Sequence, residues 1–354
     1  MREIGQKPGI GINVIHNKTA RIRQVGSLLC RLLNSRCRAQ PFSLSHLVTR
    51  RCNCRCETCL WLDEECSDEL SAEEIKRVYA QARHLGFIAT ALWGGEPLIR
   101  QDLPEIVRSS KSNGFVTTVI TNGYYLAERL DELSDYVDCF IVSIDQLGQK
   151  HDRMRRRQNI FQRAIEGIER VKKYPDIKVI INSVLSKLNK DSVEDLVYLA
   201  DGLGVSIYLC PIETGLTGRP GFEASKKHLG LTCEQLEDFS KKVIALKRKG
   251  YKINNSLTYL KTFIGGKKKY RCHTQKVAVT LDANGNVRNC IAAEPFGNVR
   301  QTSLTNILKS EDVRKARTQS EKCNACVNPD VIDCSYAWEL RLESIWSFVK
   351  LCLD

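Results

Sequence analysis

The sequence predicts an α/β fold in which a partial (β/α)6 barrel is followed by a small cysteine-rich domain. Two observations along the 354 residues carry this prediction. From residue 44 to about 250, short runs rich in Ile and Val alternate with segments of helical period, which is typical of right-handed βαβ crossovers and a parallel sheet. After residue 250 this alternation stops, and cysteines flank a β-hairpin pattern.

The barrel region, 44–250, contains six predicted strands and six predicted helices. We expect strands at 44–49, 87–93, 115–121, 138–145, 178–185 and 206–212. We expect helices near 72–85, 102–113, 124–134, 158–173, 191–202 and 232–249. Six such units favour an incomplete TIM-like barrel, in which the chemistry is expected at the carboxyl ends of the strands.

The second predicted domain covers residues 251–337 and begins with a loop at 265–269. Residues 277–281 and 286–290 flank the turn Asp282-Ala-Asn-Gly285, a good hairpin signal. Cysteines bracket this hairpin, and a C-x2-C pair follows, so four thiols are available: Cys272, Cys290, Cys323 and Cys326. Four thiols form a complete cage for an iron–sulfur cluster or for a structural zinc ion. Cys334 and Cys352 are left over, and residues 338–354 are predicted to be a C-terminal helix.

An N-terminal arm, residues 1–43, precedes the barrel and is strongly basic. Residues 1–55 carry eleven Lys or Arg against one acid, Glu3, out of a net charge of +13. Apolar residues at helical spacing predict an amphipathic helix over about residues 18–35. Its apolar face would either pack on the barrel or lie in an anionic membrane surface.

Cysteine content and targeting signals indicate the cellular compartment. The first twenty residues lack the apolar core of a secretory signal, and no run reaches the roughly 18–20 apolar residues that span a bilayer. Sixteen cysteines without export indicate metal chemistry in a reducing compartment. We therefore expect a cytoplasmic protein, peripheral to a membrane at most, and we find no nucleic-acid-binding module.

The loop after the first strand carries Cys52, Cys56 and Cys59 in a C-x3-C-x2-C spacing. A four-iron cluster normally takes four cysteines, so three leave one iron with an open coordination position. An open position favours catalysis over structure. The alternative is a structural zinc ion with His46 or Cys54 as its fourth ligand.

Polar residues follow the other predicted strands as well. Gly94-Gly95-Glu96-Pro97 follows the second strand and Thr121-Asn122-Gly123 the third, while Ser143 and Asp145 end the fourth and Asn182 lies within the fifth. Each of these signals is weak alone, because Asn-Gly and Gly-Gly are ordinary turn dipeptides. In a parallel sheet, however, they converge on one face together with the cysteine loop.

These residues together resemble the radical SAM superfamily. The resemblance rests on the cysteine triad, Gly94-Gly95-Glu96-Pro97, Ser143-Ile-Asp145 and the following His151-Asp152 and Arg155. The later part, with Cys272-x12-Gly285-x4-Cys290, Phe296-Gly297-Asn298 and Cys323-x2-Cys326, resembles the twitch or SPASM auxiliary-cluster extension of that family. Together the two parts cover about residues 40–335.

The resemblance implies roles for individual residues. Cys52, Cys56 and Cys59 would bind three irons of a [4Fe-4S] cluster whose fourth iron is chelated by S-adenosylmethionine. Gly94, Gly95 and Glu96 would meet its methionyl amino end, and Ser143, Asp145 and Asn182 its carboxylate or ribose. One auxiliary [4Fe-4S] cluster is expected at Cys272, Cys290, Cys323 and Cys326, and no catalytic residue beyond the cluster ligands is assigned.

Two residues of the triad loop depart from the family pattern. The residue before the third cysteine is usually aromatic in this family, and here it is Thr58. Trp61 is expected to supply the missing stacking surface for adenine. Cys54 matches no family ligand and is expected to take no part.

The implied activity is the reductive cleavage of S-adenosylmethionine to a 5′-deoxyadenosyl radical, which abstracts hydrogen from a substrate. The substrate class stays open between a peptide, a small metabolite and a lipid-linked molecule. The implied partner is an electron donor such as flavodoxin or ferredoxin, and nucleic acid is not expected as a partner. The competing hypothesis is a zinc-stabilised binding protein without catalysis.

Overall fold

The computed structural model of the chain describes residues 40–59, 68–214, 224–266, 270–290 and 293–353, together with five helical positions of the arm: Gly26, Cys30, Leu33, Arg36 and Cys37. The predicted arm helix therefore lies mostly outside the described residues, as does Trp61. No described helix is long and apolar enough to cross a membrane.

Six parallel strands form the barrel sheet in the order in which they occur along the chain, as the sequence predicts. They are β1 (Ser43–Thr49), β2 (Ala89–Gly94), β3 (Val116–Thr121), β4 (Cys139–Ser143), β5 (Lys178–Leu185) and β6 (Ser206–Pro211). β6 does not pair with β1, so these six strands form a partial barrel.

Helices cover the outer face of this sheet. They are α1 (Ala72–His84), α2 (Leu103–Ser112), α3 (Leu126–Leu133), α4 (Gly148–Arg155), α5 (Ile160–Val171), α6 (Val193–Gly202) and α7 (Cys233–Arg248). Reciprocal capping boxes fix two helix starts, Ser71 with Glu74 at α1 and Thr232 with Gln235 at α7. The predicted helices agree with these bounds to within two residues, but α4 was not predicted.

The two faces of the sheet differ in exposure. In β2, β3 and β4 the residues that face the helices are fully buried, whereas their neighbours on the inner face are only partly buried. These inner residues include Trp93, Ile120, Ile141 and Ser143. Because side chains alternate between the faces of a strand, this pattern indicates a barrel interior with open space along the middle strands.

The C-terminal part continues the barrel sheet instead of forming a separate layer. β7 (Ala278–Leu281) pairs in parallel with β1, and β8 (Asn286–Arg288) and β9 (Gly297–Asn298) follow antiparallel, so that one sheet of nine strands results. Its helices are α8 (Leu257–Lys261), α9 (Thr274–Val277), α10 (Leu304–Lys309), α11 (Glu311–Ser320), α12 (Pro329–Trp338) and α13 (Leu342–Leu353). The β7–β8 hairpin turns at Gly285, which has a φ of +89°, a conformation that favours glycine.

Candidate active site

The cysteine loop leaves the carboxyl end of β1 and is fastened to the end of α4. Arg55 N donates to Arg155 O at 3.2 Å, and Glu57 N donates to Met154 O at 2.9 Å. The Arg55 guanidinium donates to the carbonyls of Cys52 and Cys54 at 2.9 and 2.8 Å. These contacts all use backbone groups of the cysteine loop, and they leave its thiols available as metal ligands.

The thiols of this loop form a hydrogen-bonded group. Cys52, Cys56 and Cys59 are partly buried, and Cys54 is buried. A hydrogen bond from the Cys54 thiol, assisted by the positive charge of Arg155, lowers the pKa of Cys56 to about 7. The Cys54 thiol likewise lowers the pKa of Cys52, while its own pKa is raised because it is the donor. Cys54 was expected to take no part, but its thiol lies between two of the predicted ligands.

Gly94 and Gly95 bring the end of β2 against the start of the cysteine loop. A Cβ atom at Gly94 would lie 2.1 Å from Thr49 O, and one at Gly95 would lie 2.1 Å from Arg51 O. Instead, Gly95 N donates to Thr49 O at 2.7 Å and Glu96 N donates to Arg51 O at 2.9 Å. Only glycine permits this approach of the two backbones.

Glu96 is fully buried beside this junction. Its Oε1 accepts from Leu98 N at 3.0 Å and from Thr121 Oγ1 at 2.7 Å, and its Oε2 accepts from Asn122 N at 2.7 Å. Burial raises the pKa of Glu96 against the effect of these bonds. A carboxylate has about four acceptor positions, so one position on Oε2 remains for a ligand.

Asn122 ties the end of β3 to the cysteine loop. Its Nδ2 donates to Asn53 Oδ1 at 2.7 Å and lies 3.4 Å from Cys54 Sγ. From the sequence, Asn122 is a turn residue on the expected face of the sheet, with no role assigned to it. The signal that could have identified Asn122 was its polar side chain at a position between two predicted site motifs.

The carboxylate oxygens of Asp145 already accept hydrogen bonds from other groups of the protein. Arg155 donates to Asp145 Oδ2 from Nε at 3.0 Å and from Nη2 at 2.7 Å, and Val184 N donates to Oδ1 at 2.8 Å. The Asp145 amide in turn donates to His151 Nδ1 at 3.1 Å. Asp145 therefore orients Arg155 beneath the cysteine loop, which explains the His151 and Arg155 positions that the sequence analysis singled out.

Ser143 and Asn182 lie side by side at the inner mouth of the barrel. They are direct partners in the register of β4 and β5, and both are partly exposed. The Cys210 thiol of β6 lies 3.0 Å from Asn182 Oδ1. These two residues, unlike Asp145, present side chains to the barrel interior.

The second group of cysteines, Cys272, Cys290, Cys323 and Cys326, lies in the C-terminal domain. Cys272 N donates to Cys323 O at 3.2 Å, and Cys326 N donates to Tyr270 Oη at 3.1 Å. Burial raises the pKa of Cys326, and Glu213 and the thiols of Cys290, Cys272 and Cys323 raise it further. The four thiols are therefore electrostatic neighbours. Cys334 lies close to Cys272, whereas the side chain of Cys352 lies outside the described part of the chain.

An acid of the C-terminal domain acts on the barrel through its charge. Asp330 lies in the first turn of α12 and is exposed. Burial and then Asp330 raise the pKa values of Tyr208 and Cys210, which face the barrel interior from β6. No motif marks such a residue, because only the tertiary fold brings α12 to the barrel mouth.

Two family models match the two halves of this arrangement. Residues 47–200 match the radical SAM superfamily, and residues 272–327 match an iron–sulfur cluster-binding domain, SPASM. The chain belongs to the radical SAM superfamily. It is an enzyme of this class whose cofactors are S-adenosylmethionine and a [4Fe-4S] cluster, with further iron–sulfur binding in its SPASM domain.

Relatives of known name cover different shares of this radical SAM chain. The PqqA peptide cyclase of Rhizobium meliloti (strain 1021) is 28% identical over 306 residues, which is 81% of this chain and 79% of that protein. A probable GTP 3′,8-cyclase of Pyrococcus abyssi (strain GE5 / Orsay) is 34% identical over 175 residues, 47% of this chain and 55% of that protein. The chain thus spans about half the length of this GTP cyclase.

Solved structures share the fold. Streptococcus suis SuiB bound to S-adenosylmethionine aligns with a TM-score of 0.66 at 16% identity, covering 83% of this chain and 72% of SuiB. The AdoMet-bound anSMEcpe aligns with a TM-score of 0.62 at 15% identity, covering 88% of this chain and 99% of anSMEcpe. At such identities the likeness establishes the fold alone.

The donor chemistry of the cysteine loop fits an iron–sulfur cluster. Thiolates are the ligands of such clusters, and the pKa values of both Cys52 and Cys56 are lowered here. Across the described residues, no three His, Cys, Asp or Glu side chains stand as ligands of one metal ion. Three features therefore fit the cluster and S-adenosylmethionine: the thiols, the glycine junction and the remaining acceptor position of Glu96.

Proposed function

We propose that this radical SAM enzyme binds its [4Fe-4S] cluster at Cys52, Cys56 and Cys59 and acts on a peptide held in the barrel interior. The observation that carries the proposal is the attachment of the cysteine loop to Arg155 and Asn122 at the carboxyl ends of the strands. When bound, the cluster and S-adenosylmethionine supply a 5′-deoxyadenosyl radical that abstracts hydrogen from the substrate. The protein supplies position, charge and a dry enclosure.

Residues at the strand ends would bind the cofactor in the proposed enzyme. The free acceptor position of Glu96 suits an ammonium group, because a buried carboxylate gains most from a charged donor. Ser143 and Asn182 offer hydroxyl and amide groups to the carboxylate or the ribose. We assign Asp145 a positioning role, since both of its oxygens are already bound within the protein.

The Arg155 guanidinium would offset the negative charge that thiolates bring to this site. It is buried, it is paired with Asp145, and its charge acts on Cys56 and Cys54. Opposite charges at short range favour the ionised thiolate, and the effect grows as water is excluded. Arg155 thus favours the ligand form of the cysteine loop.

A peptide is the substrate class that the proposal favours. The match to the PqqA peptide cyclase covers 81% of the chain, whereas the GTP cyclase match covers 47%. The partly exposed inner faces of β2, β3 and β4 leave room for a side chain beside Ser143 and Asn182. The Cys210 thiol of β6, which lies 3.0 Å from Asn182 Oδ1, would line the same side of this space.

The SPASM domain is proposed to hold one auxiliary [4Fe-4S] cluster at Cys272, Cys290, Cys323 and Cys326. Four thiolates complete the ligation of a four-iron cluster, which leaves no iron open to substrate. Such a cluster would relay an electron or form part of the wall of the substrate site. Glu213 Oε2, which accepts from Val327 N at 2.8 Å, fastens this cysteine group to the segment that follows β6.

Anaerobic reconstitution tests the proposed function. We expect a brown protein that absorbs broadly near 400 nm, binds about seven to eight irons, and forms 5′-deoxyadenosine from S-adenosylmethionine under dithionite. Cys56→Ala should abolish 5′-deoxyadenosine formation and lower the iron content by about half. Cys233→Ala, at the exposed start of α7, is the matched control and should behave as the unsubstituted protein. A colourless protein that contains only zinc would support the binding-protein hypothesis instead.

A further inference from the structure

A patch of guanidinium groups surrounds the outer side of the cysteine loop. We define this basic patch by Arg55 on the loop and by Arg153, Arg156 and Arg157 around the end of α4. Arg55, Arg153 and Arg156 are exposed and Arg157 is partly exposed. Within the described ranges, none of the four forms an ion pair with a carboxylate, although two nearby acids, Glu57 and Asp152, are present.

The acids near the patch do not cancel its charge. The Asp152 carboxylate accepts from the amides of Asn159 and Phe161 at 2.9 and 3.0 Å, so it caps the start of α5. Farther along α5, Arg163 pairs with Glu128. Two acids, Glu57 and Asp152, therefore stand against four guanidinium groups in the described part of the chain, so the patch keeps a net positive charge.

A groove lies beside the basic patch and shares two of its arginines. A cavity of about 380 Å³ is lined by Tyr124, Arg156, Arg157, Gln158 and Asn159. The guanidinium carbon of Arg157 lies 4.2 Å from the centre of the Tyr124 ring, and this stacking holds the side chain in place. Arg156 and Asn159 adopt left-handed backbone conformations with φ of 50° and 60°; this conformation is costly for Arg, whereas Asn adopts it more readily.

The patch is the surface directly outside the cysteine loop. The loop amides of Arg55 and Glu57 bind the carbonyls of Arg155 and Met154, so the patch residues neighbour the loop along the chain and in space. The Arg55 side chain covers the carbonyls of Cys52 and Cys54.

We propose that the basic patch and its groove are the docking surface for an acidic one-electron carrier protein that reduces the enzyme. The proposal rests on the proposed function, because that reaction consumes one electron at the loop. The carrier is oxidised by one electron and the enzyme is reduced by one electron, with no bond formed between them. Guanidinium groups that form no ion pair with a described carboxylate steer an acidic partner and fix its orientation.

Charge reversal tests this docking surface on the reconstituted full-length protein, with a reduced flavodoxin as probe. For R156E with R157E, we expect a drop of about tenfold or more in the second-order rate of reduction by flavodoxin, and a flatter dependence of that rate on salt. Binding of oxidised flavodoxin, measured by calorimetry, should weaken in parallel. R156Q with R157Q is a milder pair that should show a smaller loss in the same direction.

Two comparisons make the result decisive. K172E with K173E changes the same charge at the opposite end of α5 and should leave flavodoxin reduction unchanged. Dithionite needs no docking site, so cleavage of S-adenosylmethionine under dithionite should persist in all variants. An unchanged flavodoxin rate in R156E with R157E would overturn the proposal, and so would an equal loss under dithionite, which would assign the patch to cofactor or substrate binding. Failure of the unsubstituted protein under dithionite would instead count against the proposed function.

Discussion

The ion pair of Asp145 with Arg155 shows how single residues acquire roles that the sequence does not reveal. A Ser-x-Asp pattern at a strand end predicted two cofactor contacts, and the geometry separates them. Ser143 faces the barrel interior, whereas Asp145 is bound by Arg155 and Val184. Strand periodicity predicts the face on which a residue lies, but not which neighbour occupies its side chain.

Arg155→Met should destabilise the protein strongly. The substitution leaves the Asp145 carboxylate buried without its partner, which typically costs roughly 3–5 kcal/mol. We expect a large fall in the melting temperature of the anaerobic protein, measured by circular dichroism. Arg170→Met removes an exposed ion pair with Asp131 and should change the melting temperature little. Equal melting temperatures for the two variants would contradict the buried role of Arg155.

At the scale of elements, the sequence predicted the barrel strands and most of its helices because Ile and Val runs alternate clearly with amphipathic periods. It missed α4, whose eight residues, Gly148–Arg155, carry few apolar side chains. The buried side of α4 is formed by His151, Met154 and Arg155, and the polar members of this set are bound to Asp145. Hydrophobic periodicity cannot detect a helix that buries polar groups in pairs.

The pairing of β1 with β7 was also beyond sequence reasoning. The hairpin itself was predicted from its turn residues, but a parallel partner some 230 residues away leaves no local signal. Its consequence is that β1 is a central strand and the cysteine loop starts from the middle of the sheet. That position gives the loop a stiff base.

Gly95→Ala tests the junction between β2 and the cysteine loop. The new methyl group would lie 2.1 Å from Arg51 O, so the loop must move away from the strand end. We expect a clear loss of bound iron after reconstitution, with little change in secondary structure by circular dichroism. Gly202→Ala, at the end of α6 with no atom within 4 Å of the new Cβ, is the control and should retain its iron. Full iron content in the Gly95 variant would show that the close approach is not needed.

At the scale of the whole molecule, Arg300 links the SPASM domain to the base of the cysteine loop. It donates from Nε to Glu74 and from Nη1 to Asp68, both at 2.6 Å, and from Nη2 to the Glu69 carbonyl at 3.2 Å. The Glu69 carboxylate then accepts from the Arg50 amide at 3.2 Å and from Arg51 Nη2 at 3.0 Å. The two domains are therefore joined by a chain of hydrogen bonds as well as by the shared sheet.

Arg300→Met should loosen the base of the cysteine loop from a distance. Without the guanidinium, the carboxylates of Asp68 and Glu74 lose their common partner, and the segment that carries Glu69 is less restrained. We expect faster amide hydrogen exchange in residues 68–74 and at Arg50 and Arg51, measured by mass spectrometry on the anaerobic protein. Arg314→Met is the matched control, because Arg314 is exposed, pairs with Glu311 within α11, and should leave exchange at Arg50 and Arg51 unchanged. If exchange at Arg50 and Arg51 stays unchanged in the Arg300 variant, the shared sheet alone holds the cysteine loop, and the chain of hydrogen bonds does not restrain it.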